Sequence, residues 1–130
     1  MSQTVSVTKS LPDLLLDEAN NYIKKFNGDE MDESEKLKIC NLYSKAAAQY
    51  KLFMKWEKCG EIYEEIAKMM STIKKNEYYL TSMSNIFLEA GDCYKYADLV
   101  DKANSCYKNA AVLLEDAGDY EGAAEILFSR

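Results

Sequence analysis

Apolar residues recur every three or four positions along most of this chain, which is the period of one face of an α-helix. A shift of 44 residues, which carries Ala46 onto Ala90, aligns the chain with itself without a gap. Each copy is long enough for two helices of roughly 20 residues. We therefore predict an all-α fold, a right-handed solenoid of antiparallel helix pairs with five to six helices. The matched positions are Tyr43, Ala46, Ala47, Tyr50, Phe53, Cys59, Ile62, Tyr63, Ile66, Ala67 and Met70 with Phe87, Ala90, Gly91, Tyr94, Ala97, Ala103, Cys106, Tyr107, Ala110, Ala111 and Leu114.

Interruptions in the pattern indicate where the helices begin and end. Ser10, Ser34, Asn76 and Asp98 precede periodic segments and are predicted N-caps, because their side chains can accept hydrogen bonds from a first helical turn. Gly118 follows the fifth segment and is predicted to end it. The connections are short, so neighbouring helices are expected to pack antiparallel. The predicted helices span about 10–25, 35–54, 56–75, 77–97 and 99–117, with a sixth from 119 or 120.

Small residues recur where neighbouring helices are expected to meet. They let two helix axes approach closely, while tyrosines fill the space beside them. On the outer face of the third helix, Glu64 and Lys68 are spaced to form an ion pair across one turn. The small residues are Ala46, Ala47, Ala90, Gly91, Ala110 and Ala111, and the tyrosines are Tyr43, Tyr50, Tyr94 and Tyr107.

The chain of 130 residues is expected to form one domain. Residues 1–9 lack periodicity and are predicted to be a loose N-terminus, which leaves 10–130 as a single helical-repeat domain. The sixth segment still carries an apolar stripe at the last residues, so we expect the domain to be truncated within this helix. An uncovered stripe would support self-association. The stripe contains Ala123, Ala124, Leu127 and Phe128.

Composition narrows the functional class. The net charge of −6 argues against general nucleic-acid binding, although residues 36–75 hold nine lysines against four acids. The four cysteines lie within the apolar pattern and show no C-x-x-C spacing, which indicates reduced core thiols rather than zinc ligands or disulfides. No apolar run is long enough to span a bilayer and no secretory leader is present, so we predict a cytoplasmic protein.

The sequence lacks the residues that most enzyme sites require. The absence of histidine excludes the commonest general base and metal ligand. The five glycines are separated from one another, so there is no phosphate-binding loop. The acidic run at 29–35 lacks the internal glycine of an EF-hand. We therefore predict a protein that is not an enzyme and has no cofactor or metal.

Five segments resemble the helices of the soluble NSF attachment proteins, the adaptors of the membrane-fusion machinery. The resemblance covers about residues 36–128, and the length and order of the helices fit this family better than a repeat of roughly 34 residues does. The segments are LYSKAAAQYK at 42–51, WEKCGEIYEEIA at 56–67, FLEAGDCYK at 87–95, ANSCYKNA at 103–110 and DAGDYEGAA at 116–124.

The resemblance implies an adaptor role in vesicle-mediated transport. In that family a twisted sheet of helices lies with its concave side along a SNARE four-helix bundle. A C-terminal bundle engages the NSF-type AAA ATPase that unwinds it. This chain would supply only the first half and lack the ATPase-engaging part, so we expect it to bind SNAREs weakly or not at all by itself. Peripheral membrane contact is also implied.

Two departures from the family pattern bear on these expectations. Family members usually carry an apolar loop between the first two helices that touches lipid, whereas here Phe26 is followed by the acidic run at 29–35. Phe26 is therefore the one candidate for membrane contact, and the acidic run beside it weakens this expectation. Where the family tends to present basic groups near the sixth helix, this chain has Asp119, Glu121 and Glu125.

The basic region suggests how an acidic partner would be bound. Lys45, Lys51, Lys55 and Lys58 are the candidate residues, and the last three are spaced by four and three positions around the turn between the second and third helices. An alternative interpretation is an unrelated tetratricopeptide-like scaffold that binds a peptide or a helix in its groove.

Overall fold

The computed structural model describes residues 9–26, 31–73 and 77–129. Within these residues it contains six α-helices and no strand, which confirms the all-α prediction. Each helix packs chiefly on the helix before it and the helix after it, as a stack of helical hairpins requires. The helices are α1 (Leu11–Lys24), α2 (Glu33–Leu52), α3 (Trp56–Ser71), α4 (Glu77–Tyr96), α5 (Val100–Asp116) and α6 (Tyr120–Ser129).

Three turns share one backbone conformation. Met54, Asp98 and Gly118 follow α2, α4 and α5, and their φ angles of 57°, 62° and 85° are left-handed. In the first turn the N–H of Lys55 donates to the carbonyl of Tyr50 at 2.9 Å, which is the long hydrogen bond of a Schellman motif. The other two turns have the equivalent bond at 2.8 Å. The next helix starts within two residues, so the chain reverses direction sharply.

The residues that cap the helix starts agree with the sequence-based prediction at α1 but not at α2. Ser10 caps α1 as predicted, since its hydroxyl oxygen accepts from the N–H of Asp13 at 3.5 Å. The prediction of Ser34 as the cap of α2 is wrong. Asp32 takes that position and forms a capping box with Glu35, with reciprocal bonds of 2.9 and 3.0 Å. The box satisfies two backbone donors at once, which a serine without a matching acid cannot do.

Two more boundaries differ from the prediction. Asp98 does not cap α5: it occupies the left-handed position that ends α4, and Leu99 precedes α5 without a side-chain cap. α3 ends at Ser71 rather than near residue 75. The hydroxyls of Ser71 and Thr72 donate to carbonyls three residues earlier, at 2.6 and 2.7 Å, and compete with the helical bonding pattern. The predicted cap Asn76 lies outside the described residues.

Small residues form the seams between the helices, as predicted. The alanines at these seams are at most 2% exposed, and aromatic rings lie against two glycines. A Cβ atom added to Gly60 would lie 2.9 Å from the ring of Tyr94, and one added to Gly91 would lie 2.6 Å from the ring of Tyr107. These two glycines therefore let helix and ring approach more closely than alanine would. The buried alanines that the 44-residue repeat matches include Ala46, Ala47, Ala90, Ala103, Ala110 and Ala111.

The buried tyrosines also connect neighbouring helices through their hydroxyl groups. A buried hydroxyl without a partner would be costly, and each of these donates to a polar side chain. Glu64 is one such acceptor, so it does not form the predicted pair with Lys68, which instead lies 3.3 Å from Glu65. The pairs are Tyr50 with Asp13, Tyr94 with Glu64, Tyr107 with Asp92 at 2.6 Å and Tyr43 with Asn20 at 3.1 Å.

Candidate partner-binding surface

The four lysines predicted to bind an acidic partner are exposed, but they do not form a single patch. Lys51 is held by α4, where its Nζ lies 2.9 Å from a carboxylate oxygen of Glu89. Lys45 lies on the α1–α2 surface, Lys55 lies at the α2–α3 turn, and Lys58 lines a groove beside α1. Spacing by four and three residues predicts one face only within a helix, and here the helix ends at residue 52.

Three of these lysines are available to a partner. Lys45, Lys55 and Lys58 form no ion pair with any residue that the structure describes. Lys51 differs, because its hydrogen bond to Glu89 raises its pKa and keeps the ammonium charged against that carboxylate. It would have to leave Glu89 before it could bind another acid. These three lysines are therefore stronger candidates than Lys51, although the charge of Lys58 already acts on Asp13 and contributes to lowering its pKa.

A groove that the sequence did not reveal runs between α1 and α3. Its volume is about 500 Å³, and the ring of Tyr43 from α2 forms part of its wall. Three glutamates and two lysines line it, so its lining carries a net charge of −1. Residues from three helices converge here, and no spacing along one helix could have indicated it. The lining residues are Leu16, Asn20, Tyr43, Lys58, Glu61, Ile62, Glu64, Glu65 and Lys68.

Hydrogen bonding fixes the charge state at one end of α1. The hydroxyl of Tyr50 donates to Asp13, and this bond, with that of Ser10, lowers the pKa of the carboxyl group. Burial and the same bond raise the pKa of Tyr50. Asp13 is thus held as a carboxylate that anchors the start of α1 to the end of α2, close to the α2–α3 turn.

The cysteines lie inside the helical stack rather than on a binding surface. All four are free thiols with at most 8% exposure, as predicted. The Sγ atom of Cys93 lies 3.1 Å from that of Cys59 and donates to it, which raises the pKa of Cys93 and lowers that of Cys59. In the described ranges no cluster of acidic and cysteine side chains is arranged to hold a metal ion.

The membrane-contact candidate Phe26 follows α1. Its ring is partly buried and lies 5.6 Å from that of Tyr22, measured between centroids. The neighbouring residues 27–30 lie outside the described part of the chain. Among the helices that the structure describes, none is both long and apolar enough to cross a bilayer.

The comparison with known protein families gives a match that extends from α1 to α6. A family model described as "Soluble NSF attachment protein, SNAP" matches residues 13–129. The matched range begins within α1 and ends with α6, so it includes all the helices above. Searches of curated proteins and of solved structures give no match.

Proposed function

Because the chain belongs to the soluble NSF attachment protein family, we propose that it acts as an adaptor in vesicle fusion that binds SNARE complexes for disassembly by an NSF-type AAA ATPase, which in this family is engaged by a C-terminal bundle rather than by the helices described above. The observation that carries this proposal is the family match over residues 13–129. Members of the family are adaptors rather than enzymes. The proposed setting is vesicle-mediated transport, on the cytoplasmic side of membranes that the protein contacts peripherally.

The stacked helices support a role in macromolecular contact. A stack of hairpins presents an extended surface, which suits an elongated helical partner better than a small substrate. Lys45, Lys55 and Lys58 are proposed to meet acidic side chains of the SNARE bundle, and Lys51 to join them after exchanging Glu89 for a partner carboxylate. Because exposed charges are screened by salt, binding is expected to weaken as ionic strength rises.

Charge-matched variants test this proposal. Pull-down of an assembled SNARE four-helix bundle is compared for the native chain and for a triple variant, Lys45→Ala/Lys55→Ala/Lys58→Ala. The control, Lys24→Ala/Lys95→Ala/Lys108→Ala, changes the net charge equally at exposed positions elsewhere. We expect the first triple variant to lose low-salt binding and the control to keep it. Equal loss in both variants would show that only net charge matters and would remove the site assignment.

The groove between α1 and α3 favours a second candidate function, that of a peptide-binding scaffold. Its glutamates match a basic peptide or helix rather than an acidic one. A labelled lysine-rich peptide should then bind the native chain more tightly than Glu61→Gln/Glu65→Gln. If an assembled SNARE bundle binds and no peptide does, the scaffold interpretation is wrong.

The two surfaces at the ends of the helical stack have separate proposed roles. Phe26 is proposed to touch lipid next to the α1–α2 connection. Leu127 and Phe128 on α6 are 53% and 90% exposed and are proposed to support self-association. Light scattering of the native chain and of Phe128→Ser tests the second role, since only the native chain should show a dimer.

A further inference from the structure

The tip of the turn between α2 and α3 is apolar. Leu52, Phe53 and Met54 are consecutive and are 74%, 57% and 71% exposed. Single exposed apolar residues are ordinary, but tight turns are usually built from small or polar residues. Three large side chains in a row are therefore more than half exposed at this turn, and packing within the described residues uses only the smaller part of their surface.

Met54 has a backbone conformation that methionine rarely adopts. Its φ of 57° is left-handed, a conformation in which the Cβ atom crowds the backbone. The equivalent turns have Asp98 and Gly118, which are residue types that tolerate this conformation. The chain thus keeps a long apolar side chain at a position that glycine would occupy with less strain. Strain of this kind persists at functional sites.

Further apolar side chains lie beside the tip on the α1 side. The hydrogen bond between Tyr50 and Asp13 brings the first turn of α1 next to the end of α2. Leu11 and Leu14 in that part of α1 are each 52% exposed. Exposed apolar side chains are therefore present on both the α2–α3 turn and the first turns of α1, with the Asp13 carboxylate between these turns and the end of α2.

The α4–α5 turn extends the same surface on the other side. The ring of Trp56 stacks on that of Tyr96, with centroids 4.8 Å apart, so the two turns are adjacent. Tyr96 is 68% exposed and Val100 is 55% exposed. Tryptophan and tyrosine are the residues that concentrate at the interface between water and lipid.

Lysines lie on both sides of the apolar tip along the chain. Residues 51–58 contain three lysines and one acid, a charge of +2 in a chain that carries −6. Lys51 is paired with Glu89 and Glu57 with Lys102. Lys55 and Lys58 have no ion-pair partner in the described residues. Long lysine side chains can hold their charge at the level of lipid phosphates while apolar neighbours lie deeper. A partner helix is bound in an apolar groove, whereas these apolar side chains lie at a turn.

We propose that the α2–α3 turn is a membrane-contact site, which inserts Leu52, Phe53 and Met54 into the surface of an anionic lipid bilayer while Lys55 and Lys58 face the headgroup phosphates. This site is distinct from Phe26, which follows the other end of α1, because α1 and α2 run antiparallel. Lys55 and Lys58 are also proposed above to meet SNARE side chains, and they cannot bind both partners at once. Vesicles without SNARE proteins, and a SNARE bundle without lipid, test the two assignments separately.

The chain contains its own probe for this contact. Trp56 is the only tryptophan and lies two residues beyond Met54. Its fluorescence is measured for the whole chain with vesicles of equal parts phosphatidylcholine and phosphatidylserine, and with phosphatidylcholine alone. We expect a blue shift with the anionic vesicles, quenching by lipids brominated in their acyl chains, and a smaller effect without phosphatidylserine.

Matched variants locate the site. Leu52→Ser/Phe53→Ser should lower the apparent lipid affinity about tenfold or more, since each apolar side chain contributes about that factor when buried. Val112→Ser/Tyr120→Ser removes two other large side chains that are more than half exposed, at positions given no role in binding, and should leave the affinity unchanged. Met54→Gly should raise the unfolding midpoint, because it relieves strain, and still lower the lipid affinity.

Four results would overturn the proposal. The first is the absence of a spectral shift in the native chain. The second is an unchanged affinity in Leu52→Ser/Phe53→Ser. The third is a loss caused by Phe26→Ser instead, which would place the contact at the other end of α1. The last is a dimer of the native chain, seen without lipid by light scattering, that this double variant makes monomeric, since the turn would then bind a second copy.

Discussion

The contact between Gly91 and Tyr107 gives the sharpest test of how the helices pack. A Cβ atom at position 91 would lie 2.6 Å from Cε1 and 2.9 Å from Cδ1 of the ring, far inside ordinary contact distance. The ring cannot easily retreat, because Tyr107 is 5% exposed and its hydroxyl is bound to Asp92 at 2.6 Å. Gly91→Ala must therefore displace the ring or separate α4 from α5.

Two opposing effects set the size of the change in the free energy of unfolding. Overpacking a well-filled core costs about 1–3 kcal/mol, whereas replacing glycine by alanine inside a helix stabilises it by about 1 kcal/mol. We predict that Gly91→Ala destabilises the native chain by about 1 kcal/mol. In a Tyr107→Leu background the ring is gone, and the same change should stabilise the chain by about 1 kcal/mol.

Chemical denaturation followed by circular dichroism measures the four free energies of unfolding that this double-mutant cycle needs. Ala48→Gly, at an exposed site within α2, calibrates the helix-propensity effect in this chain. The predicted result is a change of sign between the two backgrounds. If Gly91→Ala stabilises the native chain as much as the Tyr107→Leu chain, the ring does not rest on this glycine and the packing described here is wrong.

Three other predictions follow from single features of the structure. The hydrogen bond from Tyr50 lowers the pKa of Asp13 in the folded chain, so this bond stabilises the fold above the ordinary carboxyl pKa of 3.8. The stabilisation is lost as the pH falls through the lower pKa of the folded chain. The difference in unfolding midpoint between the native chain and Tyr50→Phe should therefore be present at neutral pH and shrink in acid. Burial raises the pKa of Cys40 to about 11 and that of Cys106 to about 12. Maleimide, which reacts with the thiolate, should therefore label both slowly until urea unfolds the chain. Fast labelling of the folded chain would contradict their burial. Gly118→Ala should destabilise the chain by about 1 kcal/mol, because alanine disfavours the left-handed backbone there, and an unchanged midpoint would refute that reason.

The stack of helices could be predicted because the residues that produce it recur at short, regular spacing along the sequence. Alanines such as Ala46 and Ala90 recur with the period of a helix, and their small size is what allows close packing in any such fold. The capping box of Asp32 and Glu35 was also readable, since an acid three residues after a capping residue is its signature. Ser34 has Leu37 rather than an acid three residues later, so the same signature argues against it.

The candidate surface was less predictable because it depends on where α2 ends. Helical spacing suggested that Lys51, Lys55 and Lys58 share a face, but the chain reverses at Met54. Lys51 pairs with Glu89 on α4, whereas Lys55 and Lys58 line one depression at the start of α3. The left-handed conformation of Met54 has no sequence signal, since a glycine would be expected there. The groove beside α1 likewise required three helices to be placed together.

Binding to SNARE helices tests the central claim, that this chain is an adaptor of the soluble NSF attachment protein family. Association of the chain with an assembled SNARE four-helix bundle is measured against the same SNARE helices kept separate, at low and at high salt. The account predicts weak binding that is selective for the assembled bundle and decreases with salt. Equal binding to separated helices, or no binding to the bundle at any salt concentration, would contradict it.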